Sequence, residues 1–434
     1  MRKISLKIIN ILMFLSIFLI SINKSYAQEL PLFAESAIAM EASTGEVLYE
    51  KNAGQKIYPA STTKLWTAHL VMKNIEDLNK IVTVKSDLSW VEPTSMYLKV
   101  GESFTVRELL EVMMLKSAND VAVLLAMEVS GSVEEFTKLM NEEAKRIGCT
   151  NTNFINPNGL PDENHYSTAY DMALISRECI RNEELLKITS KDEIRLPANE
   201  YYPYERIYKN SNKFIVGGGT MSYKGDIVDY KYDIVDGLKT GYTSVAGRCL
   251  LATAKVDDTR IITGVFNSKG NDVYTDSRML IDYSLSNYKT KTILDNEEIS
   301  EKLEKKFFLS KEGKVKGYLK NNYSILENKN LIMSRNKNVE DNYTYKVNMN
   351  DDIKLPISKN DIIGEVEIYN NNEKVETLSV YALNGVNPVF DLEQKILLTV
   401  GIGLIVIISI RKIKRKNENR KRNLNNIYIR AKSR

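Results

Sequence analysis

The sequence predicts an α/β fold of the α+β type: an antiparallel sheet with helices packed on it and a helical lobe inserted, then a small β-rich C-terminal domain and a C-terminal transmembrane helix. Three observations predict it. Two strand-like runs flank a turn near residue 44, helical periodicity fills residues 105–190, and short β-rich runs fill residues 234–266. The 434 residues suffice for two or three domains with a large core.

The first 27 residues have the pattern of a cleaved secretory signal. A basic start precedes a largely apolar stretch over residues 8–22, and Ser25-Tyr26-Ala27 places small residues ahead of a cleavage point before Gln28. A retained N-terminal anchor is the alternative. We expect an exported protein.

A β-hairpin and a helix follow. Residues 34–40 and 47–51 flank the turn sequence Ser43-Thr44-Gly45-Glu46, which predicts two paired strands. Residues 61–73 then read as a helix, because apolar side chains recur at helical spacing behind Pro59. The helical region 105–190 contains two capping-box sequences, beginning at Thr105 and Ser132.

The β-rich region predicts three adjacent antiparallel strands at residues 234–243, 248–255 and 260–266, followed by a helix at 274–285. A hairpin, then helices, then strands and a final helix suggest one sheet whose first and last segments pair. We assign residues 28–288 to this first domain.

Residues 289–383 are rich in Lys, Glu and Asn and carry short alternating runs at 315–319, 343–347 and 363–368. These runs predict a small β-rich domain, with an extended stalk as the alternative. Residues 384–395 would be a linker.

Residues 396–413 are expected to cross a membrane. Residues 396–410 are apolar and uncharged, but fifteen helical residues reach only about 22 Å against a hydrocarbon layer of ~30 Å. Snorkelling by Lys395, Arg411 and Lys412 would extend the span. A helix lying in the interface is the alternative. The basic tail, residues 414–434, is expected on the cytoplasmic side, which leaves the first domain on the outer face.

Composition excludes several classes of function. The net charge is +4, yet residues 1–27 carry +4 and residues 411–434 carry +10, so the segment between them carries about −10. The positive charge lies in the targeting and anchoring segments and gives no argument for nucleic acid binding, and we expect none. His69 and His165 are the two histidines, and no His or Cys pair has metal-ligand spacing, which excludes a zinc peptidase. We expect no metal and no cofactor. Three cysteines predict buried free thiols, with one disulfide as the alternative.

Three short motifs indicate chemistry at a serine. In Ser61-Thr62-Thr63-Lys64, the lysine lies one helical turn from the serine and within reach of its hydroxyl. Ser61 would be the nucleophile at a helix start, where backbone N–H groups favour developing negative charge. Lys64 would be its base, provided that burial and a second positive charge, Lys239, lower its pKa from ~10.4 toward 7.

The other two motifs would complete the site. In Ser117-Ala118-Asn119, Ser117 would relay protons and the amide of Asn119 would hold a substrate peptide group. Lys239-Thr240-Gly241 lies in a predicted strand where an extended substrate could pair, and the backbone N–H groups of Ser61 and Tyr242 would form an oxyanion hole. Each motif alone is common by chance; their order and structural context make the set informative.

The chain resembles the low-molecular-weight penicillin-binding proteins, the serine-type D-alanyl-D-alanine carboxypeptidases, from about Ala34 to Tyr283. The resemblance includes the three motifs and the segments 41–51, 117–126, 156–160, 165–173 and 235–243. It implies a penicillin-recognising fold of the serine β-lactamase and penicillin-binding-protein type, a small β-rich C-terminal domain and attachment to the outer membrane face.

The same resemblance implies a function. The substrate would be the peptidoglycan stem pentapeptide ending in D-alanyl-D-alanine, whose last residue leaves as an acyl-enzyme forms on Ser61; water would then clear it, and β-lactams would acylate the same serine. Lys64 would be the base, Ser117 and Asn119 would lie across the cleft, and Lys239 would contact substrate.

Two departures affect this resemblance. Residues 213–233 are longer than usual and contain Gly217-Gly218-Gly219, and Val273 stands where some relatives carry a basic residue. The anchor for the substrate carboxylate is therefore open among four candidates: Thr240, Arg248, Lys224 and Arg278.

Three other functions compete with the carboxypeptidase. A class A β-lactamase needs a glutamate-held water for fast deacylation, and the chain has no E-x-x-L-N sequence before its third motif. A D,D-endopeptidase acting on cross-links would use the same machinery. A non-catalytic wall-binding protein with a vestigial site is the third alternative.

Overall fold

The computed structural model describes residues 29–308, 310–329, 342–390 and 392–432. The expected signal, residues 1–27, lies outside them. The described residues form two compact units, which are treated separately below. The first unit contains residues 29–291 and 324–329, and the second contains residues 292–308, 310–323, 342–390 and 392–432.

The main elements of the first unit follow the order that the sequence predicts, a hairpin, helices, three long strands and a helix, with additional short strands before and after the helices. Up to Lys209 the elements are β1 (Ser36–Glu41), β2 (Val47–Lys51), a 3-10 turn (Ala60–Thr62), α1 (Thr63–Asn74), β3 (Ile81–Thr83), β4 (Ser103–Thr105), α2 (Val106–Leu115), α3 (Asn119–Ser130), α4 (Val133–Arg146), α5 (Ala169–Cys179), α6 (Glu183–Thr189), β5 (Glu193–Leu196) and β6 (Arg206–Lys209).

The later elements include the long strands of the sheet. They are α7 (Lys213–Val216), β7 (Thr220–Tyr223), β8 (Asp226–Asp229), β9 (Val235–Thr243), β10 (Gly247–Val256), β11 (Thr259–Ser268), α8 (Asp272–Asn287), β12 (Tyr288–Leu294), α9 (Asn296–Ser300), β13 (Glu304–Lys306), β14 (Lys314–Tyr318), β15 (Tyr323–Asn328), β16 (Tyr343–Met349), β17 (Ile362–Asn370), β18 (Glu373–Ala382) and α10 (Leu392–Lys432).

The first unit is built on a five-stranded antiparallel sheet in the order β2-β1-β11-β10-β9. The first and last segments of the domain pair in it, with Ala37 opposite Val265, as the sequence predicts. The segment between β2 and β9 supplies the helices α1–α6. Strand β9, which carries the third motif, lies at the edge of the sheet.

Successive side chains of the strands lie on opposite faces of the sheet, and this divides the core of the first unit into two layers. Ile38 and Met40 of β1 face a cluster built mainly from α1–α6, whereas Ala37 and Ala39 face a second cluster that includes Leu280 and Ile281 of α8. Successive strand side chains point to opposite faces, so one strand serves both layers. This buries the sheet between the helical lobe and α8.

Local caps fix where the helices begin. Thr105 and Glu108 form the reciprocal capping box predicted at the start of α2. At the start of α4, the Ser132 side chain accepts a hydrogen bond from the backbone N–H of Glu135. In the helical lobe, the indole N–H of buried Trp66 donates to the carbonyl of Met140 and ties α1 to α4.

The second unit contains a five-stranded sheet in the order β13-β14-β18-β17-β16, with its own core around Val315, Ile363 and Val380. This agrees with the β-rich domain predicted from the alternating runs. Within the described chain, one helical stretch, Ile396–Lys421 of α10, is long and apolar enough to cross a membrane.

Cys149, Cys179 and Cys249 are buried free thiols, as predicted. Burial raises the pKa of the Cys179 thiol well above its usual value. In the ranges that the structure describes, no group of three or more His, Cys, Asp or Glu side chains is placed to hold a metal ion.

Candidate active site

Ser61 lies in the 3-10 turn that leads into α1, and Lys64 follows one turn later on the same face. Lys64 Nζ is 3.0 Å from Ser61 Oγ. The i, i+3 spacing of a helix produces this contact without any help from distant parts of the chain. The structure thus places the two residues of the first motif in direct contact.

Lys64 is completely buried, and two oxygens from distant segments also surround its amine. Lys64 Nζ donates to Asn119 Oδ1 at 2.6 Å and to the carbonyl of Asn158 at 2.5 Å. Both oxygens can only accept. The amine is therefore held by three oxygens, one of which is the candidate nucleophile.

The environment favours the uncharged form of Lys64. Burial lowers its pKa well below the usual value, the positive charge of Lys239 lowers it further, and Asp120 opposes the shift. Burial also lowers the pKa of Lys239 to about 7. The two conditions that the sequence analysis set for a neutral Lys64, burial and a second cation, are both present.

The second motif lies between α2 and α3, and Asn119 is the first residue of α3. Its side-chain N–H donates to the carbonyl of Pro93 while its Oδ1 accepts from Lys64. Ser117 has a left-handed φ of 67°, and among the described residues its buried hydroxyl has no hydrogen-bond partner. An unsatisfied buried hydroxyl costs about 1–3 kcal/mol, so Ser117 is suited to bind a substrate atom or water.

The third motif packs β9 against the backbone at Ser61, the candidate nucleophile. A Cβ at Gly241 would stand 3.1–3.2 Å from Pro59 O, Ala60 Cβ and Ser61 N, so glycine lets the strand approach the helix start closely. Lys239 is buried and donates to the carbonyl of Thr240. Tyr242 is exposed and belongs to β9, the strand at the edge of the sheet.

The segment 156–165 is a part of the site whose role the sequence analysis did not identify. It supplies the Asn158 carbonyl to Lys64, and its Gly159 has a φ of +80° and sits directly against Ala60. The Asn156 side chain accepts from Gly159 N and donates to Leu160 O, which closes the turn. The Asn-Pro-Asn-Gly sequence indicated a turn, but nothing local indicated that its carbonyl meets a lysine 94 residues away.

His165 stabilises the same turn through two hydrogen bonds. Its Nδ1 accepts from the backbone N–H of Ile155, so Nε2 carries the proton and donates to Thr63 Oγ1 at 2.9 Å. Burial lowers the pKa of His165 to about 4, which keeps the ring neutral. His165 therefore acts as a structural link between the 156–165 segment and α1.

The four candidates for binding a carboxylate lie in different places. Lys224 Nζ lies 3.9 Å from a carboxylate oxygen of Asp282. The guanidinium of Arg278 packs over the rings of Tyr223 and Tyr232. Lys224 and Arg278 therefore both contact residues outside the three motifs. Val273 is buried.

Arg248 and Thr240 instead lie at the third motif. Arg248 is opposite Tyr242 in the sheet, with its guanidinium 4.7 Å from the centre of the Tyr242 ring. Burial raises the pKa of the Tyr274 hydroxyl, and the backbone N–H of Lys213 and the charge of Arg248 act against this rise. The Tyr274 hydroxyl donates to the carbonyl of Ser211 at 3.3 Å. Ser211 Oγ is in turn 2.7 Å from Thr240 Oγ1. Thr240 and Arg248 thus belong to one polar cluster beside β9.

The geometry is that of one class of enzyme, a serine peptidase in which a buried lysine, rather than a histidine, contacts the candidate nucleophile. The family model for D-alanyl-D-alanine carboxypeptidases (peptidase family S11) matches residues 23–270, and the model for the C-terminal domain of penicillin-binding protein 5 matches residues 288–388. The chain belongs to this family of low-molecular-weight penicillin-binding proteins and is a serine-type D-alanyl-D-alanine carboxypeptidase. The predicted family, fold and enzyme class are confirmed.

Individual relatives agree with this assignment. The chain is 34% identical over 353 residues to D-alanyl-D-alanine carboxypeptidase DacF of Bacillus subtilis (strain 168), covering 80% of this chain and 84% of that protein. The crystal structure of penicillin binding protein 5 from Haemophilus influenzae has the same fold, with a TM-score of 0.58 at 24% identity over 83% of this chain and 99% of that one. Penicillin-binding protein D2 from Listeria monocytogenes in its cefotaxime-bound form gives a TM-score of 0.50 at 27% identity, over 59% of this chain and 99% of that one.

Proposed function

We propose that Ser61 is the nucleophile of this carboxypeptidase and that uncharged Lys64 removes its proton. The arrangement around Lys64 Nζ supports this most directly. A neutral amine has two N–H bonds and one lone pair. Asn119 Oδ1 and Asn158 O accept the two N–H bonds, so the lone pair remains for the Ser61 hydroxyl.

Acylation then follows from the positions of the groups. Ser61 Oγ bonds to the carbonyl carbon of the penultimate D-alanine while its proton passes to Lys64, and the backbone N–H groups of Ser61 and Tyr242 stabilise the oxyanion. The C–N bond breaks, and the amine of the last D-alanine leaves with the proton, relayed by the unpartnered hydroxyl of Ser117. Water then attacks the ester and releases the shortened peptide.

The orientation of the substrate follows from the polar cluster at Thr240 and Arg248. A carboxypeptidase must recognise a free carboxylate, and among the residues described, no carboxylate side chain pairs with Arg248. Lys239 is less suited, because burial brings its pKa to about 7 and leaves it only partly charged. The substrate would therefore lie extended along the free edge of β9, with its carboxylate at Thr240 and Arg248.

The activity is tested with a synthetic stem pentapeptide. Wild-type ectodomain should release D-alanine and Ser61→Ala should not, and a fluorescent penicillin should label the wild type at Ser61, as mass spectrometry would show. The adduct should persist for many minutes, since no glutamate is placed by the E-x-x-L-N pattern to activate water. Rapid turnover of the drug would contradict this and favour a β-lactamase, whereas preferential cleavage of cross-linked over monomeric muropeptides would favour an endopeptidase.

The carboxylate anchor has a matched pair of variants. Arg248→Gln should lower kcat/KM for a peptide with a free C-terminal carboxylate by about 10- to 100-fold, the usual range for a charge-assisted hydrogen bond. The same variant should change kcat/KM little for the corresponding peptide with a C-terminal amide. Arg248→Lys should have a smaller effect than Arg248→Gln on kcat/KM for the free carboxylate, because it keeps the positive charge. Arg278→Gln removes the same charge elsewhere and should leave both substrates unaffected. An equal loss on acid and amide would refute the assignment.

We also propose that α10 anchors the enzyme with its catalytic unit on the outer face of the cytoplasmic membrane. Within the apolar stretch of this helix, residues 396–413 reach about 27 Å, close to the ~30 Å hydrocarbon layer, and the long side chains of Arg411 and Lys412 can extend to the interface. Arg411, Lys412 and the basic residues after them favour the cytoplasmic side for the tail. A chain ending at residue 391 should appear in the soluble fraction with intact penicillin binding, and retention of that chain in membranes would contradict the proposal.

A further inference from the structure

Three large apolar side chains are exposed at one end of the second unit. Phe308 is 99% exposed in the loop that joins β13 to β14, and Val389 and Phe390 are 39% and 37% exposed just before α10. Single exposed apolar residues are common on proteins, whereas a group of them marks a surface that meets another apolar phase. Neither the proposed catalytic site nor the proposed membrane span uses these side chains.

The loop and the segment before α10 are held together. Ser310 and Pro388 form an antiparallel bridge, and the residues next to them add a backbone hydrogen bond of 2.9 Å. Phe308 lies two residues before Ser310 and Phe390 two residues after Pro388, so the register of the bridge sets the two phenylalanines opposite each other. Opposed residues of an antiparallel pair carry their side chains on the same face. The exposed side chains therefore form one apolar patch.

The chain reaches the proposed membrane span almost at once after this patch. Five residues separate Phe390 from Ile396, where the apolar run begins, and α10 starts at Leu392. The four helical steps from Leu392 to Ile396 rise about 6 Å, and the two steps before them add at most about 7 Å, which places Phe390 within about 13 Å of the hydrocarbon layer. The headgroup layer on each face is about 5–8 Å thick. The patch is thus tied covalently to the membrane surface.

The charges beside the patch suit a lipid surface. Lys306 and Lys311 are exposed and flank Phe308 along the chain. Long basic side chains can extend to lipid phosphates while neighbouring apolar side chains lie deeper. Segments that lie in membrane interfaces combine basic and large apolar residues in the same way.

We propose that Phe308, Val389 and Phe390 dock the second unit on the outer leaflet, with their side chains at the boundary between lipid headgroups and acyl chains. The partner is the phospholipid surface itself. The patch alone is too small to retain the protein, since even a myristoyl chain gives only marginal membrane binding. Its effect is to hold the β-rich unit in one orientation on the membrane. The inference rests on the proposed anchoring by α10.

The test places a tryptophan in the patch of the full-length chain, reconstituted in phosphatidylcholine vesicles. Phe308→Trp and Phe390→Trp should each show quenching by lipids brominated near the headgroup end of the acyl chain, beyond that of the wild type, whose two tryptophans lie in the first unit. Val375→Trp is the control and should show no added quenching. Val375 is 45% exposed, and it lies about 24 Å along β18 from Ala382, the end of the strand nearer the patch.

A lengthened chain separates docking from the proximity that the short connection imposes. A flexible insertion of about ten Gly and Ser residues after residue 391 adds a reach of roughly 17 Å, and Phe308→Trp should remain quenched in that chain. Adding Phe390→Ser should lower the equilibrium constant for docking by about 10-fold, the effect of removing one buried phenylalanine side chain. Adding Val375→Ser instead should leave the constant unchanged.

The outcomes distinguish the docking from the anchor. Quenching of Phe308→Trp no greater than that of Val375→Trp would overturn the inference, as would loss of quenching in the lengthened chain. Equal quenching at all three positions would mean that the unit lies on its side, which also contradicts docking through this patch. A chain that fails to float with the vesicles would instead overturn the proposed anchoring by α10.

Discussion

Replacing Gly159 with alanine should inactivate the enzyme by displacing the start of α1. The new Cβ would lie 1.8 Å from the carbonyl oxygen of Ala60 and 2.4 Å from its carbonyl carbon. Ordinary contact begins at about 3.4 Å, so the two backbones must separate by about 1.6 Å. Neither atom belongs to a flexible side chain, and Ala60 immediately precedes Ser61, the proposed nucleophile.

The expected loss can be estimated from this displacement. Misplacing a reacting group by about 1 Å costs on the order of 10²-fold in rate. The same shift also moves the Asn158 carbonyl, which accepts from Lys64. We therefore expect Gly159→Ala to lower the rate of acylation by a fluorescent penicillin by at least about 100-fold.

A matched control separates the contact from backbone strain. Gly131 has the same φ of +80°, yet a Cβ there would meet nothing within 4 Å. Gly131→Ala should cost about 1–2 kcal/mol in the free energy of unfolding, from the left-handed conformation alone, with acylation retained. If Gly159→Ala acylates within about threefold of Gly131→Ala, the reasoning about the 156–165 segment is wrong.

Three further predictions concern charge and burial. Asn119→Ala should slow acylation by about 10²-fold or more, since Lys64 loses an acceptor that orients it; unchanged acylation would exclude that role. Lys239 has a pKa of about 7 in the folded state, against ~10.4 in the unfolded state. Between these two pH values the unfolded state binds more protons, so Lys239 makes the free energy of unfolding rise with pH, by roughly 1 kcal/mol per pH unit. The free energy of unfolding, measured with urea from pH 7 to 9, should rise less steeply with pH for Lys239→Met than for the wild type. Equal slopes for the two proteins would contradict the low pKa. The three cysteines should react with a thiol reagent only after denaturation, because burial raises the pKa of each thiol; labelling of the native protein would show that one is accessible.

The sequence by itself determined the parts of this protein that depend on local spacing. The hairpin at residues 36–51, the strands around Lys239-Thr240-Gly241 and the contact between Ser61 and Lys64 follow from periods of 2 and 3.6 residues and from turn residues. The pairing of the first and last segments of the sheet was also predictable, because both segments need partners and a shared core.

Only the tertiary structure decided which distant groups complete the site. The Asn158 carbonyl, the brace from His165 to Thr63 and the cluster joining Thr240 to Ser211 connect segments 94, 102 and 29 residues apart. Backbone carbonyls leave no signature in a sequence, since every residue has one. The proposed preference for Arg248 likewise depended on tertiary position, because Arg248 is paired opposite Tyr242 at the third motif, whereas Lys224 lies near Asp282 and Arg278 packs on Tyr223 and Tyr232.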